Sequence, residues 1–124
     1  MASTLPHRPP VSYTPEGRST IELGEPSFRE TFKALASETA RAIFEQLTVE
    51  PTTASELATQ VETSIQNIEY HLSRLQDADL VVEAGVWYST RGKEMSVYAP
   101  RVSELIIRVP ASSEQSSETT STSD

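Results

Sequence analysis

From Phe28 onward the apolar positions recur with helical spacing. Phe28, Phe32 and Leu35 stand at i, i+4 and i+7, which predicts a short first helix. Ser37 is placed to cap a second helix, with Glu38 in its first turn, where the helix dipole favours an anion. Ala40, Ile43, Phe44 and Leu47 make that helix's apolar face, and Pro51 breaks the chain. Thr53-Ala-Ser-Glu56 fits a capping box and opens a third helix, with Leu57, Ala58 and Val61 inward. Thr63-Ser-Ile-Gln66 fits another and opens a fourth, with Ile65, Ile68, Leu72, Leu75 and Ala78 inward.

After Leu80 the period falls to two. Leu80, Val82, Ala84, Val86 and Tyr88 alternate with Val81, Glu83, Gly85, Trp87 and Ser89. Arg91-Gly92 marks a turn, Met95, Val97 and Ala99 return on the core face, and Pro100 ends the strand. That alternation puts Trp87 and Tyr98 together on the hairpin face away from Val86 and Val97. Residues 102–109 (VSELIIRV) resume helical spacing, with Val102, Leu105, Ile106 and Val109 on one side, and predict a closing helix. The expected fold is mainly α with a small β-hairpin, a winged helix-turn-helix of order α-α-α-α-β-β-α.

The flanks read differently. Residues 1–26 hold five prolines and few large apolar groups, too little to offset the entropy of ordering. Nine of the fourteen residues from Ala111 to Asp124 are Ser or Thr and three are acidic, the composition of a solvated tail. The expected division is a disordered tail over 1–26, a winged helix-turn-helix domain over 27–110 and a disordered tail over 111–124. A folded unit of that size has a modest core, and dimerisation often supports such units. Phe28 and Phe32 on the first helix, with Leu105 and Ile106 on the last, offer apolar surface for a homodimer.

The fourth helix carries the candidate chemistry. With Ile65 at zero and about 100° per residue, the apolar group centres near about 310°. Thr63, Gln66, Asn67, Tyr70 and Arg74 fall opposite, between about 100° and 200°. A solvated face usually fills with Glu and Lys. This one presents amides, an aromatic ring, hydroxyls including Ser73, and an arginine. Such a helix (64–78) can rest on the core and enter a major groove about 12 Å wide. There Gln and Asn suit adenine edges and Arg suits guanine. Tyr70 and Ser73 reach phosphates or a thymine methyl, and Thr63 and Ser64 meet the backbone. His71 lies at the edge of the apolar face and reads as a half-buried histidine, and Glu69 as a solvated flank. Over the wing (80–100), Arg91 and Lys93 stand at the tip, where phosphates would lie.

Charge complicates this reading. Eighteen acidic and ten basic residues give a net charge of −8, and only Lys33 and Lys93 are lysines. Phosphate binding normally shows as a basic excess. Residues 28–110 hold eight basic and twelve acidic groups, so even the folded region is acidic. A lysine-poor acidic surface is one solution to staying soluble in concentrated salt. In molar salt the counterion-release contribution nearly vanishes, and binding rests on hydrogen bonds and shape.

The chain has no cysteine, so it offers neither a disulfide framework nor a thiolate metal site. No apolar run approaches a membrane span, and the start lacks a signal peptide's apolar region, so the expected location is cytoplasmic. No carboxylate pair, Ser-His-Asp set or phosphate loop suggests an enzyme, and no cofactor is expected.

The strings LASETARAIFEQL, ASELATQVETSIQNIEYHLSRLQDADLV and VWYSTRGKEMSVYAP resemble the ArsR-type winged-helix regulators, in the form common in haloarchaea. The resemblance covers about residues 34–100. It implies a dimeric transcriptional regulator of double-stranded DNA, with the fourth helix in the major groove, the hairpin as wing and the terminal helices as dimer contacts. The thiolate box of the metal-sensing members has no counterpart, so no metal site carries over. Where such proteins often end the recognition helix with Ala-Gly, this chain has Ala78-Asp79. The alternative reading, which the acidity favours, is a winged-helix protein-interaction module without DNA specificity of its own.

Overall fold

Each of the three helices around the central turn begins where a hydroxyl can cap it. In the computed structural model, which describes residues 11 and 13–109, Ser37 accepts from the Ala40 N–H (3.2 Å) and opens α2 (Glu38–Val49). Thr53 accepts from the Glu56 N–H (3.2 Å) and opens α3 (Ala54–Val61). Ser64 accepts from the Asn67 N–H (3.1 Å) and opens α4 (Ile65–Asp77), so the cap lies one residue after the expected Thr63. The first helix, α1 (Pro26–Leu35), has no side-chain cap. It starts on Pro26, whose missing N–H would be an unpaired donor there in any case.

Two helix ends use left-handed backbone without glycine. Glu62 (φ 63°) follows α3 and Asp79 (φ 62°) follows α4. In both, the next residue's N–H reaches back to an orphan carbonyl: Thr63 to Ala58 (3.0 Å) and Leu80 to Leu75 (2.9 Å). Glu62 thereby turns the chain sharply between α3 and α4. Asp79 hands it from α4 to the hairpin.

The core is the common floor of the four helices. Ala34, Ala40, Ile43, Leu47, Leu57, Ile68, Leu72, Leu75, Leu80, Val81 and Val102 form one buried cluster. Burying each Leu or Ile is worth about 1.5–3 kcal/mol relative to exposure. From α1 the buried residues are Thr31 and Ala34 rather than Phe28 and Phe32. Small side chains on that face let α1 lie close against α2 and α4. Phe28 and Phe32 stack on the outside, their rings 5.3 Å apart, with Phe32 60% exposed. Ile65 also departs from its expected inward position: it is exposed in the first turn of α4.

The hairpin is β3 (Val81–Tyr88) and β4 (Glu94–Pro100), joined on its far side by β2 (Thr52–Thr53) into a three-stranded sheet of order β2-β4-β3. The expected alternation along β3 fails midway. The register shifts between Glu83 and Gly85, so Gly85 stands opposite Val97 and Trp87 opposite Met95. The extra residue, Ala84, turns the rest of the strand over. Trp87 is therefore buried on the face of Met95 and Val97, while Val86 is exposed, and Trp87 does not share a face with Tyr98. Val11 explains Gly85, since its Cγ2 would lie 3.1 Å from any Cβ placed there.

The ends of the described chain correct the expectation most. Residues 102–109 do not form a helix; Glu104–Arg108 is a strand, β5. It pairs in parallel with β1 (Arg18–Glu22), which lies inside the stretch expected to be irregular. Each strand supplies what the other lacks. Ile21 is buried, and Arg18 meets Glu104 at 2.9 Å, Arg108 meets Glu22 at 3.3 Å and Arg101 meets Glu16 at 2.6 Å. Ile106, Ile107 and Val109 are β-branched, and pairing with β1 decides between two local patterns that the segment carries equally. The expectations for residues 1–10 and 111–124 fall outside the described residues. The architecture is a winged helix-turn-helix with a parallel two-stranded sheet in place of the closing helix.

Candidate nucleic-acid interface

The face of α4 opposite the core is partly pre-arranged by its own side chains. Ile68, Leu72 and Leu75 are buried, which fixes the helix's rotation. Tyr70 is then 55% exposed, and Gln66 and Ser73 are exposed. The Arg74 guanidinium donates to the Tyr70 hydroxyl (3.3 Å) and lies 5.5 Å from the ring centroid, so the cation and the ring hold each other. Asn67 is half-buried, and its side-chain N–H donates to the Thr63 hydroxyl (3.0 Å). That bond ties down one of the expected base readers and leaves Gln66, Tyr70, Ser73 and Arg74 as the outward group. Ser64 is engaged as the helix cap.

His71 sits half-buried beside Tyr70, ring edge to face at 5.0 Å. Loss of water around its imidazole lowers its pKa below the ordinary value, and the nearby Arg74 charge lowers it further. It is therefore neutral near pH 7 and adds no cation to this face.

The wing tip is ordered through its backbone. The Ser89 hydroxyl accepts from the N–H groups of Arg91 (3.2 Å) and Lys93 (3.0 Å). The Ser89 carbonyl accepts from Gly92 (2.8 Å), which takes φ 82°. Arg91 and Lys93 are exposed, and neither side chain is bonded to another described residue. Ser89 is absent from the residues that the sequence pattern singles out. A signal exists all the same: a serine before Thr-Arg-Gly can close a turn through its own hydroxyl.

Between α4 and the wing runs an open groove of about 400 Å³, lined among others by Thr53, Ile65, Glu69, Lys93, Met95 and Tyr98. It accounts for Ile65, which faces the wing from the first turn of α4. Burial raises the pKa of the Tyr98 phenol, with a further push from the Glu83 charge, so Tyr98 stays a neutral hydroxyl. Phe28 and Phe32 stand on α1 and the half-buried Leu105 and Ile106 on β5, where strand alternation turns Leu105 and Ile106 to opposite faces instead of the one side expected of a helix. Among the described residues no three or more His, Asp or Glu side chains group as metal ligands, and no helix is long and apolar enough to cross a membrane.

A helix resting on a buried stripe, turned from its predecessor by a left-handed residue and followed by a hairpin, defines a winged helix-turn-helix protein. The comparisons agree with that class. Residues 35–84 match a family described as a helix-turn-helix domain. An ArsR-like transcriptional regulator from Rhodococcus sp. RHA1 is similar in structure, with a TM-score of 0.51 and 34% identity over 60% of this chain and 62% of that one. The chain thus spans less than two thirds of that protein's length. An ArsR family transcriptional regulator shares the fold at a TM-score of 0.50, with 24% identity over 60% of this chain and 75% of the other. No curated protein matches the sequence.

Proposed function

We propose that the protein is a sequence-specific regulator of transcription of the ArsR type that binds double-stranded DNA as a homodimer in the cytoplasm. The carrying observation is the outer face of α4. Gln66, Tyr70, Ser73 and Arg74 stand on a helix whose other side buries Ile68, Leu72 and Leu75, so they can enter a major groove without disturbing the core. Arg74, held by Tyr70, is aimed before contact and suits a guanine edge; Gln66 suits an adenine edge. Thr63 and Ser64 lie at the helix start, where backbone phosphates approach. Arg91 and Lys93 extend from the wing tip toward the flanking phosphates, where contacts position the protein without reading bases. The likeness to the Rhodococcus ArsR-like regulator supports the same reading. So do Phe28 and Phe32, whose stacked rings on the outside of α1 offer apolar surface to a second copy.

The acidity of the chain is compatible with this function where salt is concentrated, because counterion release then contributes little to affinity. This is the high-salt, haloarchaeal form of the proposal. The same acidity also favours the second reading, a winged helix that engages another protein. Fluorescence anisotropy of the full chain against fragmented genomic DNA, from low to molar KCl, separates the two. Saturable binding to a subset of fragments supports the regulator. Absence of binding at every salt concentration leaves the interaction module.

A further inference from the structure

The outer edge of β5 is unpaired among the described residues, and its sequence reads the same in character from either end, with opposite charges at its two termini: Glu104-Leu-Ile-Ile-Arg108. We propose that two copies of this chain join edge to edge through β5, antiparallel about Ile106, into one four-stranded sheet of order β1-β5-β5-β1. The proposal rests on the homodimer put forward above and says which surface makes it.

Hydrogen-bond directions allow this pairing. The Glu104 N–H donates to the Gly17 carbonyl, and the Arg108 carbonyl accepts from the Leu23 N–H. Residues 104, 106 and 108 therefore turn their backbone groups toward β1. Those of Leu105 and Ile107 point outward, where an unpaired edge would otherwise be left to solvent. Centring the contact on Ile106 sets Leu105 against the partner's Ile107, so each pair exchanges both N–H···O bonds. A two-stranded sheet is marginal by itself, and doubling it removes the exposed edge of β5.

Charge selects that register. Glu104 then stands opposite the partner's Arg108, and Arg108 opposite the partner's Glu104. Within one chain Arg18 already pairs with Glu104 and Glu22 with Arg108. All of these side chains lie on one sheet face, because partners in register share a face. The result is an unbroken row across the assembly: Arg18, Glu104, the partner's Arg108, the partner's Glu22. Centring one residue earlier or later sets Arg108 against Val102 or Ile106 and loses the row. On the other face Ile107, 45% exposed in the single chain, gains the partner's Leu105 as its cover.

The chain lacks cysteine, which makes the test clean. At the twofold axis the two Ile106 residues form a non-hydrogen-bonded pair with Cα atoms about 4.5 Å apart, within the range of a disulfide. The full-length Ile106→Cys variant should cross-link under mild oxidation to a species of twice the chain mass. Thr20→Cys should not, because three strand spacings of about 4.8 Å separate its copies. By light scattering, Arg108→Glu should raise the dimer dissociation constant at least about tenfold while circular dichroism stays unchanged. Arg18→Glu breaks only the pair inside the chain and should leave the dimer near wild type. Suppose the wild type is a dimer, yet Ile106→Cys does not cross-link and Arg108→Glu has no effect. That result overturns the β5 edge but keeps the homodimer. A monomeric wild-type chain at micromolar concentration overturns both.

Discussion

The outer face of α4 and the tip of the wing both present cations, but they are ordered in opposite ways. On α4 the side chains restrain one another: Arg74 is bonded to Tyr70, and Asn67 to Thr63. At the tip the backbone is restrained, through Ser89, and the cations are left free. Fixed side chains lose less entropy on contact and suit a target whose geometry carries information, such as a base edge. Free cations on a fixed loop suit phosphates, which recur along any sequence. On the DNA-binding function proposed above, the difference would give discrimination to the helix and attachment to the wing.

The most severe way to break this comparison is to remove the platform that both share. Leu72→Ala opens a cavity under α4 at a fully buried position and should cost about 2–5 kcal/mol in a urea titration. DNA binding then falls with stability, for specific and random duplexes together.

Removing the helix's own contacts should be more selective. Tyr70→Ala and Arg74→Ala should each weaken binding to a mapped operator by about 1–3 kcal/mol while the fold survives. Because the two side chains touch, the double variant should lose less than the sum, which a double-mutant cycle by anisotropy would show. Strict additivity would mean that the pair does not act as a unit.

At the tip, Arg91→Ala with Lys93→Ala should weaken operator and random DNA by a similar factor. It should also reduce the slope of log affinity against log salt by about 2. A loss confined to the operator, with the slope unchanged, would move base or shape reading to the wing and erase the contrast.

Two smaller effects sharpen the picture of α4. Asp79 holds φ 62°, which glycine adopts without strain, so Asp79→Gly should stabilise the fold by about 0.5–1 kcal/mol in thermal melts, with binding unchanged. His71 has its folded pKa lowered, mainly by burial, so the unfolded chain takes up protons more readily than the folded one. Its contribution to stability is complete above the unfolded value of about 6.5 and declines as pH falls through the lowered folded value. His71→Gln should flatten the pH dependence of urea midpoints in that window, by less than any effect above.

Much of this arrangement is legible in the sequence because its determinants are local. Ser37 and Thr53 cap where expected, and Ile68, Leu72 and Leu75 are buried as the helical period requires. The wing shows as a change of period, but its bulge does not: an alternating run has no mark at Ala84, and the slip follows from pairing with β4. VSELIIRV satisfies helical spacing and strand composition together, and only a partner 86 residues earlier decides between them. Phe28 and Phe32 form the regular apolar stripe, but Thr31 and Ala34 make the contact, because close approach of two helices favours small groups. On α4 the spacing indicates which side chains point away from the core. It does not show that Asn67 is spoken for by Thr63, since that depends on a rotamer rather than a position.

The pairing of β1 with β5 also orders events at birth. A chain emerging from the ribosome releases Arg18–Glu22 early and Glu104–Arg108 only after all four helices and the hairpin. Synthesis at about 5–20 residues per second leaves β1 without its mate for several seconds. During that interval the helical core can assemble while the first strand waits. Closure of the two ends then waits on the last strand, and a chain truncated before Glu104 would leave β1 without the strand that pairs with it.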